Sequence, residues 1–234
     1  MDYTEEYIQK NPTLHLEEAD LKARQILNFL KDTPVQIRSL LDIACGAGQI
    51  TLRLASALNL PPKATTGLDI SQTMITTAQA LDQSGHANWV CADVFQYSPA
   101  QPADLVTCID ILEHIDNDLE FLQHIKHFGH YLLIKTPLED STINRWLTAA
   151  KLADPWAETR EQYGHVHHYN ESQLRRLWQA AGLMIVKDGY LPLPKRSKLH
   201  WELLRLITLP VGWFSPTARL RLVGGFKLVL LKTD

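Results

Sequence analysis

Five apolar runs of strand length, at residues 37–44, 64–70, 87–93, 103–109 and 129–136, recur along the chain, and helix-patterned stretches separate most of them. Parallel strands cannot be joined by a tight turn and need a crossover, usually a helix. The alternation therefore predicts a parallel sheet with helices on both faces. The helices carry their own punctuation. Residues 15–31 place Leu16, Ala19, Ala23, Ile26, Leu27 and Leu30 at helical spacing before Pro34. Ile50, Leu54 and Leu58 stand four apart in a helix over 48–58. Ser71 caps a helix that runs toward Gly85, and Asn117 with Glu120 has capping-box spacing for a helix over 117–128. After the fifth strand the pattern pauses. Residues 137–170 hold one helix, over 141–153, and a loop rich in His and aromatics. A helix over 171–181 ends at Gly182, strand 183–190 follows, and 224–232 reads as the last strand.

Composition narrows the setting. A chain of 234 residues suits one domain at the upper end of a single core. Its 23 basic and 26 acidic residues give a net charge of −3, without the basic excess of a nucleic-acid surface. The first 30 residues lack a signal-peptide pattern, and no uncharged apolar run nears the length of a membrane span. Cys45, Cys91 and Cys108 lack zinc spacing and read as reduced thiols, so a cytoplasmic setting is expected.

The sharpest local signal is LLDIACGAGQIT, residues 40–51. An apolar strand ends near Asp42, and Gly46-Ala47-Gly48 opens the next helix. Glycines let backbone approach a ligand, and a helix N-terminus offers free N–H groups. A nicotinamide-binding turn would want a third glycine where this chain has Thr51. An acid below the turn instead suits a cationic ligand such as an α-ammonium.

At this point the sequence resembles the class I S-adenosylmethionine-dependent methyltransferases. LLDIACGAGQ is similar to their first motif, GLDISQTMI to the second, CADVFQY to the third and DLVTCIDILEHI to the fourth; GHVHHYNESQLRRLWQAAGL is similar to a late segment of the small-molecule branch. The resemblance covers residues 37–190 in order. It implies that Ala44, Cys45, Gly46 and Gly48 face the methionine part of S-adenosylmethionine, with Asp42 near its ammonium. Asp69, 21 residues after Gly48, would accept the ribose hydroxyls. Ile70 and Met74 would flank the adenine, and Asp93 and the Val94 N–H would meet its amino edge. Cys108, Ile109 and Asp110 would form the floor beside the sulfonium. S-adenosylhomocysteine would be the product.

The stretch DILEHIDND, residues 110–118, splits in two. Asp116, Asn117 and Asp118 belong to a helix start, where acids favour the dipole. Asp110, Glu113 and His114 precede it at the carboxyl end of a strand, the edge where α/β sheets bind ligands. Their spacing resembles the Glu-x-x-Glu-His of quinone-biosynthetic O-methyltransferases and small-RNA 2′-O-methyltransferases. Three roles stay open for Glu113 and His114: pocket wall, general base, or metal. No metal ligand is assigned; Asp110, Glu113 and His114 are the groups a divalent ion would use. From the His-rich loop, His165 joins the catalytic candidates and Tyr169 faces the acceptor, with Asn170 as the next helix's N-cap. Tyr3 and Tyr7, four apart in an N-terminal segment, are also substrate-side candidates.

The expected architecture is a single Rossmann-like three-layer α/β/α sandwich over 1–234, its seven-stranded sheet mostly parallel with the last strand antiparallel. Residues 1–36 form an N-terminal helical lid, and 137–170 and 192–222 are substrate-side insertions. The apolar helix of the second insertion would pack on the sheet or a second copy of the chain, cover a greasy acceptor, or touch a membrane surface. The expected activity is methyl transfer from S-adenosylmethionine to a small or lipid-like acceptor at oxygen. An RNA 2′-O-methyltransferase with a divalent metal, disfavoured by the charge, and a non-catalytic cofactor-binding protein are the alternatives.

Overall fold

The computed structural model describes residues 16–191 and 215–233. In chain order the elements are α1 (Leu16–Leu30), β1 (Leu40–Ile43), α2 (Gln49–Ala57), β2 (Thr65–Asp69), α3 (Gln72–Leu81), β3 (Ala87–Cys91) and β4 (Ala103–Ile109). A 3-10 turn (Leu112–His114), α4 (Asp118–Ile125), β5 (Gly129–Leu138), α5 (Thr142–Ala149), α6 (Pro155–Tyr163) and α7 (Glu171–Ala180) follow. The described chain closes with β6 (Met184–Leu191), α8 (Pro216–Val223) and β7 (Gly225–Lys232). The strands form one seven-stranded mixed sheet of order β3-β2-β1-β4-β5-β7-β6, with the last strands antiparallel. β1 pairs in parallel with β2 and with β4, and β2 with β3. Tyr3, Tyr7 and most of the 192–222 insertion lie outside the described residues.

By internal packing the described residues group into two compact units. The first takes those up to Ile109, with 123–133 and 231–233; the second takes 110–122 and 134–230. In the first, β1 and β4 are nearly continuous apolar runs because both faces are covered, as parallel strands require. Leu54, Leu105, Val106 and Leu132 are fully buried, each worth about 1.5–3 kcal/mol. The described part of the N-terminal segment is packed here: Ala19, Ala23, Ile26 and Leu30 of α1 are buried, and Asp20 pairs with Arg53 of α2. Helix α3 stops at Leu81, short of Gly85. The Asp82 carboxylate gathers N–H groups from His86, Ala87 and the Trp89 indole and turns the chain into β3. That indole packs against two glycines: a Cβ on Gly67 or on Gly48 would come within 2.4 Å of its ring.

In the second unit α7 begins as the sequence predicts, with Asn170 and Gln173 in a reciprocal capping box. The expected helix over 141–153 instead ends at Ala149, and a second helix, α6, begins at Pro155. Asp154 accepts the Ala157 N–H, Pro155 opens the first turn and Gly164 closes the helix at φ 78°. On β7 the buried Lys227 ammonium pairs with Asp188 and sits 4.0 Å from the centre of the Tyr190 ring. Among the described residues no helix is long and apolar enough to cross a membrane.

The Gly67–Trp89 contact yields a test. Gly67→Ala is expected to destabilise the chain by about 1–3 kcal/mol through overpacking. Combining it with Trp89→Leu is expected to cost less than the sum of the two single changes, measured as a denaturation double-mutant cycle. Additive costs would contradict the packing.

Candidate functional site

The first unit builds a turn over a buried acid. Asp42, on β1, is cut off from solvent; Thr107 of β4, its register partner, donates to one oxygen at 2.7 Å, and the Thr51 hydroxyl donates to the other. Burial raises its pKa to about 6, against the pull of the two threonine hydrogen bonds, and the nearby Asp69 charge adds to the rise. Ala44, Gly46 and Gly48 adopt φ of 57°, 54° and 75°. A non-glycine residue held there, as Ala44 is, costs about 1–2 kcal/mol. The two glycines of the turn differ in their surroundings. A Cβ on Gly46 would meet nothing within 4 Å, whereas Gly48 is closed by Trp89. Only Gly46 leaves room for a ligand.

Asp69, the last residue of β2, ties this turn down. One of its oxygens accepts the Gly46 N–H at 2.8 Å, the other the Ser71 N–H at 2.8 Å. Burial raises its pKa, while those backbone donors pull it down. Ile70 is 64% exposed, whereas Met74 is buried. Asp93 accepts the Phe95 N–H, and the Val94 carbonyl meets His124. Cys45 and Cys108 have thiols pushed well up by burial, so both stay protonated and inert. Cys108 is fully buried, which leaves Ile109 and Asp110 as the part-exposed residues at this strand end.

The second unit begins at Asp110, held at φ 55°. Its N–H donates to the Lys135 carbonyl at 2.9 Å, and its carboxylate pairs with the buried Lys135 ammonium, itself 3.8 Å from the centre of the Phe226 ring. Glu113 is buried: Thr136 donates to its carboxylate at 3.0 Å, and its own carbonyl accepts the Val166 and His167 N–H groups. Burial first and the Asp110 charge second push its pKa well up. His114 packs edge-on against His165, ring centres 4.9 Å apart. Burial and the neighbouring imidazole push its pKa down to about 4, so it is neutral at pH 7. His165 places Nδ1 2.9 Å from Glu139. Burial lowers its pKa, but the Glu139 hydrogen bond and charge outweigh that and raise it.

Glu113, His114 and His165 each bring one ligand atom within 4.8 Å of the others, near enough to hold one divalent ion. Asp110 is engaged by Lys135, so His165 stands in the third place of that set. Tyr169 is buried, its hydroxyl donated to Asp118 at 2.9 Å and its ring stacked on His167. A neighbouring cavity of about 600 Å³ is lined by Trp156, His167, His168, Tyr169 and Arg176, but not by the Glu113 cluster. Sequence reasoning passed over Glu139, Lys135, Thr51 and Thr107. Glu139 stands one residue beyond β5, at a carboxyl end where the strand-edge rule flags ligand sites.

The sequence pattern of the family described as "Methyltransferase domain" matches residues 15–188. A ubiquinone biosynthesis O-methyltransferase of Hydrogenovibrio crunogenus is 26% identical over 192 residues, covering 74% of this chain and 75% of that protein. A trans-aconitate 2-methyltransferase of Streptomyces avermitilis is 29% identical over 119 residues, 48% of this chain. The match spans less than half the length of that relative, 44%. Among solved structures, a SAM dependent methyltransferase from Archaeoglobus fulgidus superposes with a TM-score of 0.62 at 19% identity, covering 97% of this chain and 100% of the other.

The buried Asp42 sets a pH dependence. Its folded-state pKa is raised, so its contribution to stability is fully present below its unfolded value of 3.8 and is lost as pH rises through about 6. The difference amounts to roughly 3 kcal/mol. Asp42→Asn is therefore expected to raise the melting temperature of the ligand-free chain at pH 7.5 and leave it nearly unchanged at pH 4. An equal effect at both pH values would contradict the assignment.

Proposed function

The chain belongs to the methyltransferase-domain family, the class I S-adenosylmethionine-dependent methyltransferases, and from that premise we propose that it methylates an oxygen of a small or lipid-like acceptor. One observation carries the cofactor side: the Asp69 carboxylate is fixed by the Gly46 and Ser71 N–H groups beside a Gly46 face that nothing fills.

When bound, S-adenosylmethionine supplies a methyl group on a sulfonium, open to in-line displacement by an acceptor oxygen. The chain's residues hold and shape what surrounds it. Each Asp69 oxygen keeps lone pairs beyond its backbone donor, enough to accept two ribose hydroxyls. Asp42 has both oxygens engaged by threonine hydroxyls, so it favours an α-ammonium through its charge beneath the turn. Exposed Ile70 offers an apolar face to the adenine, and Asp93 with Val94 would meet its polar edge. In sequence Asp110 follows Ile109, the end of β4, and Glu113 and His114 lie in the 3-10 turn just after; His165 joins those two in the cluster of the second unit. An acceptor hydroxyl must shed its proton as it attacks. A neutral His114 and a His165 paired to Glu139 are the groups able to take it.

An oxygen acceptor is in keeping with the O-methyltransferase relative that spans three quarters of both chains. The net charge of −3 gives an RNA backbone little to bind. A second reading rests on the same trio: two imidazoles and a carboxylate within 4.8 Å suit a divalent ion, which would polarise the acceptor oxygen.

Calorimetry is expected to show S-adenosylmethionine binding that Asp69→Ala weakens at least about tenfold, since each charge-assisted hydrogen bond is worth about 1.5–3 kcal/mol. Binding unchanged by Asp69→Ala would remove the proposed site. Release of S-adenosylhomocysteine against phenols, sugars and quinols, before and after chelation, separates the two roles of the trio: loss on chelation and recovery with Mg²⁺ would favour the ion.

A further inference from the structure

Glu139 collects contacts from three segments of the second unit. Its backbone carbonyl accepts the Asn144 amide of α5 at 2.8 Å and the Trp156 indole N–H of α6 at 3.2 Å. Its carboxylate lies 2.9 Å from His165 Nδ1, 3.4 Å from the Thr159 hydroxyl and 3.7 Å from His168 Nε2. Both members of the closest pair are largely removed from solvent, with side chains 10% and 15% exposed. An ionised carboxylate only accepts hydrogen bonds, so the His165 hydrogen must reside on Nδ1. Nε2 is then the nitrogen left to act, on a ring that packs edge-on against His114 with ring centres 4.9 Å apart and belongs to the trio with Glu113.

We propose that Glu139 is a positioning residue that fixes the tautomer and orientation of His165, so that the Nε2 lone pair serves the cluster as proton acceptor or ligand. A free neutral imidazole prefers its hydrogen on Nε2, the arrangement that would leave the cluster with a donor where it needs an acceptor. A carboxylate behind a functional histidine corrects this by holding the hydrogen on the far nitrogen. The backbone contacts to Asn144 and Trp156 do not use the Glu139 side chain. Substitutions there remove the carboxylate while leaving those two anchors in place. The catalytic consequence rests on the methyl-transfer reading above; the tautomer itself does not.

The test uses the full chain, labelled with ¹⁵N and free of cofactor. Long-range ¹H–¹⁵N correlation spectra report which nitrogen of His165 is protonated, with His165→Gln assigning its signals. Wild type and Glu139→Gln, whose amide oxygen still accepts, are expected to carry the hydrogen on Nδ1. Glu139→Ala is expected to shift His165 toward the Nε2–H form. Wild type already protonated at Nε2 alone would overturn the proposal, whether or not any variant folds, and so would an unchanged tautomer in Glu139→Ala. With a quinol acceptor, Glu139→Ala is expected to lower kcat about tenfold to a hundredfold, with KM for S-adenosylmethionine within about twofold and recovery in Glu139→Gln. Wild-type turnover in Glu139→Ala would overturn it as well. Calorimetry with S-adenosylmethionine on the same proteins keeps the two readings apart, because loss of cofactor binding in wild type bears on the function and not on the tautomer.

Discussion

The first unit depends on one carboxylate, that of Asp69, held between two backbone N–H groups. Gly46 donates from the turn after β1 and Ser71 from the start of α3, so a single side chain at the end of β2 joins two strand ends and a helix start. The turn it holds is costly to form. It places Ala44 in a left-handed conformation and encloses the charge of Asp42 beneath it. Neither feature helps a chain that only needs to fold. Such concentrated local cost is what sites selected for binding tend to carry.

A similar tension runs through the second unit. Glu113 is buried, raised in pKa and tethered to Thr136, while its carbonyl anchors the loop that delivers His165. Lys135 neutralises Asp110 from within the sheet. The trio is therefore surrounded by groups that already have partners. His114 is held neutral by burial and by the imidazole beside it. Burial thus keeps His114 uncharged, while Glu139 favours the charged form of His165, so the two imidazoles of the trio are set apart by their surroundings.

The strand and helix alternation was legible because parallel strands buried on both faces write continuous apolar runs, as in Leu40–Ile43 and Ala103–Ile109. Caps that act locally were legible too, as at Ser71 and Asn170. Helix α6 was passed over although Asp154, Pro155 and Gly164 frame it, because its residues have little apolar periodicity to announce a buried face. Asp69 and Gly46 could be singled out by spacing after a glycine turn. Their hydrogen bond could not, since it joins positions 23 apart in the chain. The same holds for Glu139 and Lys135, each lying 25 or more residues from the group it serves. Sequence marks the strand ends where chemistry gathers, but not the pairings made across the fold. The division of labour between Gly46 and Gly48 was hidden for the same reason, because it depends on where the Trp89 ring comes to rest.

The most direct measurement follows the methyl group itself. The chain would be incubated with S-adenosylmethionine labelled with ¹³C at the methyl and with an extract of low-molecular-weight acceptors, and the labelled products read by ¹³C NMR. The expected result is label on oxygen in a small product, formed together with S-adenosylhomocysteine. Label that stays on sulfur with every acceptor, or that emerges only on nitrogen or carbon, would contradict the account.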